Sequence, residues 1–196
     1  MAENDGENII HSYVPCTLIL MGAGFFVQRD RGGVMKFVTI SQAYFDMCQS
    51  DPELLFRENR RPHLLVMSLR YRGTVSSFAV PLRSNIPASA PKEQYFALPP
   101  RPSTRPGNHH GLHYIKMFPI QKSYQEKFWV GANTPFALYP EIISKPQKEI
   151  VDACQAYLSA YAAGLHPLFS VDIDAALERL SNAQATNYPN SLHGRG

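Results

Sequence analysis

Arg83, Ser84 and Asn85 close an otherwise apolar run, Phe78 to Leu82, and Pro87 opens a proline-rich stretch just beyond them. A guanidinium beside a hydroxyl and a carboxamide offers one cation and several hydrogen-bonding groups, a set that holds phosphate. These residues also make plain polar turns, and a turn at 83–85 is the ordinary expectation. A second run, Gly111 to Ile120, contributes His113 for proton transfer and Lys116 as a further cation. No paired carboxylates stand in this half of the chain, nor any HExxH, P-loop or glycine-rich dinucleotide loop. His109 and His110 precede His113, but without a neighbouring acid or cysteine they are a weak metal signal and are expected in an exposed turn.

Such an inventory suits cleavage of RNA by its own 2′-hydroxyl. That reaction removes one proton, delivers another to the leaving 5′-oxygen and stabilises charge on the phosphorane. Arg83 is the candidate cation, Ser84 and Asn85 hold the phosphate, and His113 or Lys116 moves the protons. Strand alternation over 111–120 places Tyr114 and Lys116 on one face with Leu112, and His113 on the other with Ile115 and Met117. Both faces reach one cleft only if a bulge intervenes.

The charge distribution points to the same substrate class. The formal net charge is +3, yet residues 51–130 carry 12 Lys and Arg against five Asp and Glu, whereas four bases face six acids from Gly131 onward. A basic middle fits a polyanion, for which Arg57, Arg60, Arg61, Tyr114 and Lys122 are candidate contacts. The segment Pro87 to Gly107 adds Lys92, Arg101 and Arg105 among six prolines. It reads as an extended arm along a ligand or as a plain linker.

The elements that must position these groups follow from pattern. "KFVTI" is a short strand and Ser41 can cap the helix "QAYFDMCQ" after it. "PHLLVMSLRY" and "TVSSFAVPL" form a hairpin around Arg72-Gly73. Strands dominate to about residue 130 and helices follow. Ile150, Cys154, Tyr157, Leu158 and Tyr161 recur at helical spacing with Gly164 as the stop. A last helix starts on Asp172 or Asp174 and buries Ala175, Leu177 and Leu180.

At 196 residues, 44% hydrophobic and 18% charged, the chain has the makings of one soluble domain. Its three cysteines lack metal spacing and fit a reducing cytoplasm. The apolar run Val14 to Val27 is broken by Pro15, Gly22 and Gly24, too short for the roughly 20 residues of a membrane span. Glu3, Asp5 and Glu7 precede it, where a secretory segment would be basic. Residues 1–34 read as an N-terminal extension from upstream read-through. The codons of Arg31-Gly32-Gly33 can spell a ribosome-binding sequence, so translation is expected to start at Met35. Residues 35–186 are then one domain and 187–196 a loose tail.

Four pieces in order, "MKFVTIS" with its helix at 35–49, "RRPHLLV" at 60–66, "FAVPLRSNI" at 78–86 and "GLHYIKMFPI" at 111–120, resemble the ToxN/AbiQ endoribonuclease toxins of bacterial type III toxin-antitoxin systems. Within that group the chain looks most like the TenpN branch. The resemblance spans Met35 to about Asp152. It implies an α+β fold, a compact twisted antiparallel sheet of the Kid/MazF type surrounded by helices. It implies metal-independent cleavage, without a cofactor, to 2′,3′-cyclic phosphate ends. It also implies a repeated RNA pseudoknot as inhibitor, processed by the toxin and held in closed toxin-RNA assemblies. Where the ToxN branch has a threonine-serine pair after "PL", this chain has Arg83-Ser84, and the lysine shortly after falls near Ile86. Arg60 or Arg61 stands nearest to another family lysine. The rival readings are a non-catalytic RNA-binding module and a protein-interaction domain using the proline-rich loop.

Overall fold

The computed structural model describes residues 35–55, 61–129 and 135–187. The N-terminal extension, Arg57, Arg60 and residues 188–196 of the tail lie outside them. The described chain is an antiparallel sheet wrapped by helices. Its strands are β1 (Lys36–Ile40), β2 (His63–Tyr71), β3 (Thr74–Ile86), β4 (Tyr95–Leu98), β5 (His109–His113), β6 (Phe118–Pro119) and β7 (Gln125–Lys127). They lie in the order β4-β5-β3-β2-β1-β7, with β6 pairing β3. The helices are α1 (Gln42–Met47), α2 (Tyr139–Ser144), α3 (Gln147–Ala162) and α4 (Ile173–Asn187).

The β2–β3 hairpin turns on Arg72-Gly73, with φ of 45° and 83° and Tyr71 opposite Thr74. Two positive-φ residues twist the chain to match its strands, as a two-residue hairpin requires. Ser41 stands at the start of α1, but its hydroxyl makes no capping bond; the backbone carbonyl of Ser41 accepts from Tyr44 N–H instead, at 3.2 Å.

Alternation along β2 and β3 separates two cores. Leu64, Val66, Phe78 and Val80 face α3, whose Ile150, Cys154, Tyr157, Leu158 and Tyr161 are buried at helical spacing. Burying each large aliphatic side chain there contributes about 1.5–3 kcal/mol. Leu65 and Ala79 face the other way, toward Tyr44 and Cys48 of the α1 region, Phe118 and Leu180. Asp172 caps α4, its carboxylate accepting from Ala175 N–H at 3.0 Å. That helix buries Ile173, Ala176 and Leu180, not Ala175 and Leu177, which are only half-buried.

Two expectations are corrected. Arg83, Ser84 and Asn85 do not form a turn: they continue β3, paired with β5 from Leu82↔Leu112 to Ile86↔His109. The proline-rich segment is not one extended arm either, because Tyr95–Leu98 forms β4 against β5, with Tyr95 opposite His113 and Ala97 opposite Gly111. Their ladder hydrogen bonds outweigh the breaking tendency of prolines on both sides. A Cβ at Gly111 would lie 1.9 Å from the Phe96 carbonyl oxygen. Gly111→Ala is therefore expected to force β4 off the sheet and cost about 2–3 kcal/mol, in the range of overpacked sites. The midpoint of urea unfolding and protease cutting near β4 would show it.

Candidate active site

Three departures from a regular ladder build the site. Pro81 has no N–H to give, and at this point β3 changes partner, from β6 (Phe78↔Pro119, Ala79↔Phe118) to β5 (Leu82↔Leu112). Between β5 and β6 the chain makes a 3-10 turn, Tyr114–Lys116. Residues three apart eclipse in such a turn. It therefore brings Lys116 to the side of His113 and sends Tyr114, Ile115 and Met117 into the α3 core. The strand alternation expected for 111–120 fails for this reason, and Tyr114, 3% exposed, is a core residue and not a nucleic-acid contact. The third departure is a register shift on β3 between Arg83 and Ile86, a bulge containing Ser84 and Asn85.

Arg83, half-buried, donates from Nη1 to Nδ1 of His113 at 3.3 Å. A guanidinium has no acceptor, so Nδ1 carries the lone pair and the proton of the neutral ring sits on Nε2. Burial first, then the positive charges of Arg83 and Lys116, push the His113 pKa down to about 3. The Nε2 atom is buried without a hydrogen-bond partner among the described residues. Lys116, 3% exposed, donates to the Glu53 carboxylate and to the Glu53 carbonyl oxygen at 3.1 Å. Its pKa is lowered, chiefly by burial and further by Arg83, against the opposing pull of Glu53.

Arg61 approaches from β2's N-terminal side and donates Nη1 to the Leu82 carbonyl at 2.8 Å. Its own carbonyl accepts from Nδ1 of His63 at 2.9 Å. His63 lies opposite Pro81 and is 1% exposed; burial first, then Arg61, lowers its pKa to about 3. His110 is not in an exposed turn but is 2% exposed within β5. It donates Nδ1–H to the Arg83 carbonyl at 3.0 Å and accepts on Nε2 from the Tyr139 hydroxyl at 2.8 Å. Burial is the main reason its pKa falls. His63 and His110 were absent from the sequence-derived site. The signal for His110 was the alternation in "HHGLH", which turns His110 and Leu112 away from His109, Gly111 and His113.

The remaining sequence candidates scatter. Asn85 clamps the proline-rich segment, donating to the Ser103 carbonyl at 3.2 Å and accepting from Arg105 N–H at 2.8 Å. Ser84 is half-buried in the bulge beside it. Arg101 lies 4.2 Å over the Phe136 ring, on the α3 side of the sheet. Lys92 and Arg105 are exposed near the β4 edge, whereas exposed Lys122 leads into β7 at the opposite edge. Arg83, His113 and Lys116 converge, Arg61 reaches β3 beside them at the Leu82 carbonyl, and the other bases do not share one stripe with them.

The architecture is that of an α+β protein in which one face of an antiparallel sheet holds half-buried Arg83 beside buried His113 and Lys116. No family model and no curated protein matches the chain. Solved structures share its fold, three of them with a TM-score of 0.50 or more. One, from work on a processed non-coding RNA that regulates a bacterial antiviral system, has a TM-score of 0.56 at 19% identity, covering 75% of this chain and 98% of its own. AbiQ, a lactococcal anti-phage endoribonuclease belonging to the type-III toxin-antitoxin system, gives 0.56 at 15% identity, covering 80% and 98%. The third, from work on bacterial type III systems and selective toxin inhibition by a non-coding RNA pseudoknot, gives 0.50 at 15%, covering 76% and 98%.

Proposed function

We propose that the chain is an endoribonuclease toxin of a bacterial type III toxin-antitoxin system, of the TenpN kind, acting in the cytoplasm and restrained by a structured RNA. One observation carries the reading: the 3-10 turn at Tyr114–Lys116 gathers a guanidinium, a neutral imidazole and a buried ammonium on one sheet face. The shared fold of proteins linked to non-coding RNA and anti-phage endoribonuclease activity supports the biological setting.

In the proposed mechanism Arg83 and Arg61 neutralise the scissile phosphate, and Ser84 adds a hydrogen bond. Asn85 acts indirectly, by holding the bulge. The Arg83 to His113 contact is long, so an incoming phosphate competes well for the guanidinium and releases Nδ1 as a base. The 2′-hydroxyl gives its proton to Nδ1, the 2′-oxygen bonds to phosphorus, and the bond to the 5′-oxygen breaks. Lys116, with its lowered pKa, protonates that leaving oxygen; proton donation is most effective when the acid's pKa lies near the working pH. The products are a 2′,3′-cyclic phosphate and a 5′-hydroxyl, reached with charge neutralisation by side chains alone.

Incubating the purified protein with bulk cellular RNA and a chelator is expected to give discrete fragments ending in 2′,3′-cyclic phosphate. Protection of RNA without cleavage would instead establish a non-catalytic RNA-binding module, and absence of any RNA effect would reject both.

A further inference from the structure

We propose that Tyr95 and His109 form a nucleobase-stacking subsite that takes one base of a single-stranded RNA beside the Arg83–His113 pair. The inference rests on the endoribonuclease reading and adds to it a residue pair that selects which nucleotide enters.

The two rings are stacked, with centroids 4.9 Å apart and an interplanar angle of 17°. Both are half-buried, and neither belongs to either apolar core. The pair therefore does not serve to fill the interior. Register fixes where it faces. Tyr95 is directly opposite His113, and Ala97 is opposite Gly111, which is in turn opposite Arg83. Directly paired residues project from the same face of a sheet. Tyr95, His109, His113 and Arg83 consequently share one face, with Ala97 and Gly111, which carry at most a methyl group, in the row between Tyr95 and His109, and His113 between Tyr95 and Arg83.

Adjacent strands lie about 4.8 Å apart and a strand rises about 3.3 Å per residue, so Tyr95 is one spacing from His113, while Arg83, two strands over and two residues along, is roughly 12 Å away. A nucleotide with its phosphate at Arg83 can lay its own base or the next one toward the ring pair. Among the described residues β4 is the last strand at this edge, so the RNA can leave the sheet there. Lys92, exposed three residues before Tyr95, supplies a cation on that exit path. An aromatic platform flanked by cations is the general means of holding single-stranded nucleic acid, since every base offers a π-face.

The experiment uses mixed-sequence 2′-O-methyl RNA, which lacks the attacking hydroxyl, labelled internally with 2-aminopurine. Wild type, Tyr95→Ala, Tyr95→Trp and Arg83→Ala are titrated with it, and each is assayed separately on cleavable RNA. Tyr95→Ala is expected to weaken binding about 5- to 150-fold, the range found for losing one base stack, to abolish 2-aminopurine quenching and to leave the salt dependence of binding unchanged. Tyr95→Trp keeps affinity and quenching. Arg83→Ala keeps quenching but flattens the salt dependence, because it removes a phosphate contact. Wild-type affinity and quenching in Tyr95→Ala, with wild-type protein still cleaving RNA, would overturn the subsite and spare the endoribonuclease reading. Wild-type protein that neither binds nor cleaves RNA would overturn both.

Discussion

Arg83→Ala is expected to lower RNA cleavage about 10²- to 10³-fold, the size of effect seen when one preorganised donor to a charged transition state is removed. The residue reaches both proposed proton carriers: its charge lowers the pKa of His113 and of Lys116, and its Nη1 occupies the His113 lone pair. Removing it therefore raises both values. The residual activity should move to higher pH on both limbs of its profile, since the base must be neutral and the acid protonated. That shift separates loss of a charged neighbour from general damage. The fold should survive, because a half-buried side chain is lost and one imidazole nitrogen is left unpaired, at a cost of about 1–3 kcal/mol. Arg83→Lys keeps the charge but not the planar fork, so it should restore only part of the activity. Wild-type cleavage by Arg83→Ala, with an unchanged pH profile, would remove Arg83 from the mechanism.

The framework that carries these groups was legible because its signals are local. Arg72-Gly73 is a hairpin turn by residue type, and the α3 stripe from Ile150 to Tyr161 has the helical period with Gly164 beyond it. The apolar half of β3, Phe78 to Leu82, is the buried strand that its composition indicates. What failed depends on partners distant in sequence. Arg83 to Asn85 look like a turn because their side chains satisfy backbone groups locally, yet β5 supplies a ladder that holds them extended. "YFAL" is hidden among prolines, and only its pairing with β5 makes it a strand. His113 and Lys116 belong together through a three-residue period within a two-residue one. Their juxtaposition is the main structural addition to the sequence reading. The same turn removes Tyr114 from the surface.

Lowering the pH from 7 to 5 is expected to cost the fold about 4 kcal/mol through His63 and His113 alone, a large part of the 5–15 kcal/mol typical of a domain. Burial is the first cause in each case and brings both pKa values from 6.5 to about 3. A depressed folded-state pKa contributes stability that is present above pH 6.5 and lost as pH falls toward 3. In that window the unfolded chain binds the extra protons, and each histidine adds a slope of up to about 1.4 kcal/mol per pH unit. His110, shifted the same way, reinforces the trend. Urea unfolding at pH 7, 6 and 5 measures it. His63→Asn keeps an N–H donor near the Arg61 carbonyl but cannot titrate, so it should remove about half of the pH 7-to-5 loss. An equal stability at pH 7 and 5 would mean that these imidazoles are hydrated in the folded chain, contrary to their 1% and 2% exposure. A bound RNA phosphate should oppose the loss, because it offsets the charge of Arg83 and Lys116 and allows His113 to hold a proton. The acid sensitivity of the fold and the proton transfer of the reaction thus draw on the same buried ring.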